Sequence, residues 1–93
     1  MDNTPKILIV DDEENIRRIF KKALEKKNYV VHTAPNAEDA LRKIKNQDYF
    51  LVFSDIFMDG MSGLDLLKEV KETTPQVKVV VMTAQDTMNN TIE

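Results

Sequence analysis

The feature that most constrains this chain is a regular alternation. Short apolar runs rich in β-branched residues take turns with longer stretches whose apolar residues recur at helical spacing. Ile7-Leu8-Ile9-Val10 is the first run. It has no polar face, so it reads as a strand covered on both sides, the habit of parallel sheets. Ile16, Ile19, Phe20, Ala23 and Leu24 then fall at i, i+3, i+4, i+7 and i+8, the stripe of an amphipathic helix. Glu13 and Glu14 open that helix, and Lys21, Lys22, Lys26 and Lys27 lie towards its end. This is the charge order the helix dipole favours. Tyr29 to Thr33 reads as a second strand, and Pro35-Asn36 as a break with Asn36 as N-cap. Ala37, Ala40, Leu41 and Ile44 mark a second helix. Tyr49 to Phe53, the most apolar segment, reads as a third strand. Both glycines fall in the loop from Asp55 to Gly63. Leu64, Leu67 and Val70, helped by Leu66, mark a third helix that Thr74-Pro75 stops. Val77 to Met82 is a fourth strand, and a last helix starts at Asp86 or Thr87 with Met88 and Ile92 on one face.

Strand–helix alternation with short connections means βαβ units and a parallel sheet. The expectation is an α/β, doubly wound domain. At 93 residues there is room for one small domain. The chain has no cysteine, which excludes disulfides, thiolate metal sites and thiol catalysis. A net charge of −3 disfavours a nucleic-acid partner. No apolar run reaches the roughly 18 residues of a membrane span. The first residues lack the basic and apolar regions of a signal peptide. A soluble cytoplasmic domain, without membrane or direct nucleic-acid contact, is expected.

Chemistry-bearing residues gather at strand ends. Asp11-Asp12 follows the first strand, Asp55 the third, and Thr83-Ala84 the fourth. In an open doubly wound sheet, ligands bind outside the carboxyl ends of strands, where the strand order reverses. If the order is 2-1-3-4, Asp11, Asp12 and Asp55 converge in one cleft, with Thr83 one strand further along. Three carboxylates crowded together repel, by roughly 4 kcal/mol per pair at about 4 Å and an effective dielectric of 20. A proton or a cation must offset this. Oxygen ligands beside an open cleft suit Mg²⁺, which commonly bridges protein carboxylate and phosphate. A carboxylate can also attack phosphorus and become an aspartyl phosphate, with the metal neutralising the phosphoryl oxygens.

Each residue also has a plainer reading. Asp12 alone reads as a helix N-cap, Asp55 as a turn residue, Glu14 as a first-turn charge. His32 is the single histidine, on a strand away from the acidic cluster, and reads as half-exposed structure. Gly60 and Gly63 read as turn glycines, since G-x-x-G without G-K-[ST] is a weak phosphate-loop signal. Carboxylates or a hydroxyl at three usable strand ends are more than these separate readings explain.

Ile7 to Glu13 with its Asp11-Asp12 pair, Ser54 to Leu64 around Asp55, and Val81-Met82-Thr83-Ala84 resemble, in order and spacing, the receiver domain of bacterial response regulators. Thr83 to Thr87 is most similar to receivers of nitrogen-regulatory, enhancer-binding activators. The resemblance covers the whole chain and implies a flavodoxin-like sheet of order 2-1-3-4. It implies that Asp55 accepts a phosphoryl group from a sensor histidine kinase. It implies that Asp12 ligates Mg²⁺ directly and Asp11 through water, with Asp55 and the backbone carbonyl of Phe57 completing the protein ligands. Thr83 would be the switch residue that turns to the phosphoryl group, and Ala84 would stay small so the backbone can approach. Phe57 and Gln85 would tune dephosphorylation, a bulky Phe57 slowing the attacking water.

Two departures matter. Asp59 stands where the family usually has proline. The family also runs further, into a fifth strand and helix with a lysine and an aromatic partner for the switch residue. The chain 1–93 is therefore read as a C-terminally truncated receiver whose output domain or downstream partner lies elsewhere. Its fourth strand would be an exposed edge, favouring a homodimer or domain-swapped oligomer. It is not expected to be a conventional enzyme. Two alternatives stay open: a receiver-derived interaction fragment inactive as a switch, and a phosphohydrolase, which Phe57 disfavours because that chemistry generally wants a second acid there.

Overall fold

The computed structural model of the chain describes residues 4–82. Within them the elements are β1 (Lys6–Val10), α1 (Glu14–Glu25), β2 (Val30–Ala34), α2 (Ala37–Asn46), β3 (Leu51–Asp55), α3 (Gly63–Thr73) and β4 (Lys78–Met82). The expected last helix, with Met88 and Ile92, lies outside the described residues.

The strands pair in parallel in the order β2-β1-β3-β4. β1 therefore has a strand on each side, and its run from Ile7 to Val10 is buried throughout. The pleat sends alternate side chains to opposite faces. Leu8, Val10, Ala34 and Val52 meet Ala37, Ala40 and Ile44 of α2 and Leu66 and Val70 of α3. Ile7, Ile9 and Val31 form a smaller cluster on the other face with Leu24 of α1, Tyr29, Leu51 and Phe53. Helices thus cover both faces, as the doubly wound reading requires.

Three elements differ from the sequence reading in instructive ways. β3 begins at Leu51 because the parallel register with β1 starts at Ile7↔Leu51. Phe50 precedes the ladder and is exposed, while its N–H donates to the Lys6 carbonyl at 2.8 Å. Tyr49 turns inward, and its hydroxyl lies 2.8 Å from Nδ1 of half-buried His32, the rings edge to face. In α3 the buried stripe is Gly63, Leu66 and Val70, and Leu64 is exposed. A glycine opens the inner face, so Gly63 and Leu66 take the places the apolar pattern gives to Leu64 and Leu67, and Val70 is common to both. In α1 no residue is fully buried, and Ile19 is 62% exposed. α1 packs mainly on β2 and β1, and Ile19 and Phe20 of its stripe stay exposed.

Capping fixes two of the helix starts. The Asn36 side chain accepts the Asp39 N–H at 2.8 Å, and Ser62 Oγ accepts the Asp65 N–H at 3.1 Å. Among the described residues no helix is long and apolar enough to cross a membrane.

Candidate functional site

β1 is the strand at which the connections change direction, with β2 on one side and β3 on the other. The carboxyl ends of β1 and β3 are adjacent there, because Val10 pairs with Ser54. Asp11 follows Val10 directly, and Asp55 is the last residue of β3. One carboxylate oxygen each from Asp11, Asp12 and Asp55 lies within 4.8 Å of the others. Asp11 is buried, Asp12 exposed and Asp55 intermediate. The fold brings together the three carboxylates that the sequence singles out.

Short turns hold them. Asp11 Oδ1 accepts the Glu13 N–H at 2.9 Å, an Asx turn that leads the chain from β1 into α1. Glu13, and not Asp12, occupies the N-cap of α1, and its side chain makes no capping bond. Asp12 is thereby left beside the cleft with no capping task. Asp55 Oδ1 accepts the Phe57 N–H at 3.3 Å. The Ile56 N–H donates to the Met82 carbonyl at 3.0 Å, and the Gly63 N–H to the Ile56 carbonyl at 2.9 Å. The loop after Asp55 is thus tied to β4 on one side and to α3 on the other.

Burial, the largest influence, raises the Asp11 pKa above its ordinary 3.8, and the charges of Asp55, Asp12 and Glu13 push the same way. The hydrogen bond from the Glu13 N–H opposes them. None of the ion pairs among the described residues involves the three aspartates. This is a site under electrostatic load. Its all-oxygen donor set and half-open position fit a hard divalent cation such as Mg²⁺, which retains waters and takes carboxylate ligands.

Other expected residues fall around this centre. The Phe57 side chain is 56% exposed at the lip, and its backbone N–H faces Asp55. Thr83 and Ala84 lie outside the described residues. Met82, the residue before Thr83, pairs with Asp55. His32 stands apart from the cluster on β2, as expected. One contributor escaped the sequence reading. Arg17 Nη1 donates to the Asp11 carbonyl at 2.7 Å, clamping the backbone that carries the Asp pair. Its signal was a basic residue one turn into a helix whose first turn is otherwise acidic.

Comparison with known proteins agrees with this geometry. The response regulator receiver domain family matches residues 7–93. The transcriptional regulatory protein ResD of Bacillus subtilis (strain 168) is 33% identical over 98% of this chain. The DNA-binding transcriptional regulator NtrC of Azospirillum brasilense is 33% identical over 88% of it. The chain spans only 38% of the length of ResD and 17% of that of NtrC. The crystal structure of response regulator protein TrrA from Thermotoga maritima, in complex with Mg²⁺-BeF, superimposes with a TM-score of 0.84 at 41% identity. That match covers 87% of this chain and 70% of TrrA. TrrA has also been crystallised in complex with the histidine kinase ThkA. With its strand order, its acidic triad and its sequence all in agreement, the chain belongs to the response regulator receiver domain family.

Proposed function

We propose that this chain is the phosphoryl-accepting switch of a two-component phosphorelay, with Asp55 as acceptor. The observation that carries this reading is the convergence of Asp11, Asp12 and Asp55 at the β1/β3 switch point, the carboxylate oxygens within 4.8 Å of one another. The Mg²⁺-BeF complex of TrrA supports it, as does the ThkA–TrrA complex. Asp12 would hold Mg²⁺ directly and Asp11 through water, with Asp55 and the Phe57 carbonyl as the remaining protein ligands. When bound, Mg²⁺ offsets the charge of the carboxylates and of the phosphoryl oxygens.

An Asp55 carboxylate oxygen forms a bond to phosphorus as the P–N bond of the kinase's phosphohistidine breaks. The bonding pair stays on the imidazole nitrogen, and the product is an aspartyl phosphate. The Thr83 hydroxyl then donates a hydrogen bond to a phosphoryl oxygen, and Ala84 leaves room for that approach. The bulky Phe57 side chain, two residues past Asp55, hinders the attacking water and slows hydrolysis. The partners are a sensor histidine kinase and an output domain or downstream protein that regulates transcription, as the names of ResD and NtrC suggest for them. The chain is a signalling acceptor in the cytoplasm and not a conventional enzyme.

A second partner surface follows from β4. Among the described residues it is an edge strand, with Val80 and Met82 exposed. An unpaired apolar edge recruits another strand. The partner proposed for this edge is a second copy of the chain, in a dimer or domain swap. Sedimentation equilibrium tests this, and a monomer at 0.1 mM (on the order of typical sample concentration) overturns it.

The test of the main reading is intact mass after incubation with acetyl phosphate and Mg²⁺, beside an Asp55→Asn control. The expected result is one added phosphoryl group in the wild type only. A folded wild type that gains nothing is an interaction fragment and not a switch.

A further inference from the structure

We propose that Gly63 is a positioning residue for the phosphoryl-accepting site. By carrying no side chain it lets the start of α3 lie directly on the Asp55–Ile56 peptide. It thereby fixes where the Asp55 carboxylate and the Phe57 backbone stand relative to Asp11 and Asp12. This rests on the reading of Asp55 as phosphoryl acceptor.

The close approach is explicit in the backbone. A Cβ built on Gly63 would overlap the Asp55 carbonyl oxygen, and would lie 2.9 Å from the Asp55 carbonyl carbon and 3.0 Å from Ile56 Cα. All three are main-chain atoms, so no rotamer change relieves the clash. Conformation is not the reason for this glycine. Gly60 is the glycine with a positive φ, at 80°, and a Cβ there would come no closer than 3.7 Å to Glu38 Oε2.

The peptide beneath Gly63 is held on several sides. Its N–H, from Ile56, donates to the Met82 carbonyl on β4, and the next carbonyl, that of Ile56, accepts from the Gly63 N–H. The Asp55 carbonyl accepts from Ser54 Oγ at 3.0 Å. α3 cannot retreat from an added methyl, because Leu66 and Val70 on the same face are fully buried in the core. The strain therefore falls on the Asp55–Ile56 peptide, and the turn that places the Phe57 N–H against Asp55 Oδ1 moves with it. Mg²⁺ demands near-ideal octahedral geometry. A misplacement of about 1 Å in reacting groups costs about 100-fold in rate.

The test compares Gly63→Ala with Val70→Ala, which weakens the same helix far from the cleft. Mg²⁺ affinity is read from amide NMR titrations, phosphoryl capture from acetyl phosphate by intact mass, and stability from thermal melts without metal. Gly63→Ala is expected to shift the metal-free Ile56 and Phe57 amide resonances, weaken Mg²⁺ binding about tenfold or more and slow capture about 100-fold. Val70→Ala is expected to lower the melting temperature and keep the wild-type Mg²⁺ affinity. If Gly63→Ala is unfolded in plain buffer, the same titration is made in trimethylamine N-oxide, which strengthens effective burial. Wild-type affinity and rate in Gly63→Ala overturn the proposal, and so does a variant that stays unfolded in the osmolyte, which would make Gly63 a residue of the fold alone. A folded wild type that binds no Mg²⁺ and takes up no phosphoryl group overturns the receiver reading itself, and with it the role assigned to Gly63.

Discussion

Replacing Asp11 by asparagine should stabilise the metal-free protein while destroying its response to Mg²⁺. The Asp11 side chain is 8% exposed, and its carboxylate has two others within 4.8 Å. At that separation one pair of like charges costs about 0.9 kcal/mol in bulk water and about 3.5 kcal/mol at an effective dielectric of 20. Asp12 is exposed, so its share sits near the lower figure, and Asp55 is intermediate. Asparagine keeps the Oδ1 that accepts the Glu13 N–H, so the turn into α1 survives. After screening and relaxation, the net gain is about 2 kcal/mol, or roughly 8–16 °C in melting temperature for a domain of this size. The pH dependence has a definite sign. The folded-state pKa of Asp11 lies above the 3.8 of the free acid, so between the two values the native form binds more protons than the unfolded chain. The charge on Asp11 therefore costs stability as pH rises through this window, and the full cost is in place above it. The advantage of Asp11→Asn is thus absent below about pH 3.8 and grows as pH rises through the raised folded-state value. Melts followed by circular dichroism in EDTA at low salt measure it. With Mg²⁺ at 100 times its dissociation constant the wild type gains about 2.7 kcal/mol and the variant gains little, reversing the order. An asparagine variant no more stable than wild type in EDTA at pH 7 refutes the reasoning that the cleft is electrostatically strained.

Phe57→Asn replaces the exposed ring at the lip with a group that hydrogen-bonds water, and should shorten the lifetime of the aspartyl phosphate; an unchanged half-life by intact mass argues against the shielding role. His32 has a depressed pKa, from burial first and then from Lys6, Lys21 and Lys43. Its native form binds fewer protons than the unfolded chain below pH 6.5, so stability is lost as pH falls from there through the folded-state value. His32→Gln should flatten the difference in urea midpoint between pH 7.5 and pH 5, and equal slopes in the two proteins would count against it. Asn36→Ala removes the cap on α2 and should cost about 1 kcal/mol, or roughly 4–8 °C in melting temperature; Asn36→Asp, which keeps the acceptor, should cost much less.

The sequence by itself determined the class of fold and the carboxylates that gather at the site. Ile7 to Val10 has no polar residue in four and is rich in β-branched residues, the pattern of a strand covered on both faces. The periods of Ala37, Ala40 and Ile44 name a helix face without reference to what it meets. Asp11, Asp12 and Asp55 were legible for the same local reason, since each sits where a strand stops. Asn36 was legible as a cap because capping is a contact between near neighbours in the chain. The tertiary structure decided what depends on residues far apart. The register Ile7↔Leu51 moved the start of β3 past Tyr49, and the pairing of Asp55 with Met82 made Asp55 its final residue. The packing of α3 against the sheet chose Gly63 and Leu66 over Leu64 as its inner face. Arg17 found the Asp11 carbonyl only because α1 folds back over the end of β1. Gly63 owes its place to the Asp55 backbone eight residues earlier, a contact that leaves no trace in period or propensity. Local patterns report the faces that a segment offers, whereas the partners of those faces are set by pairings whose energy exists only once the distant segments have met.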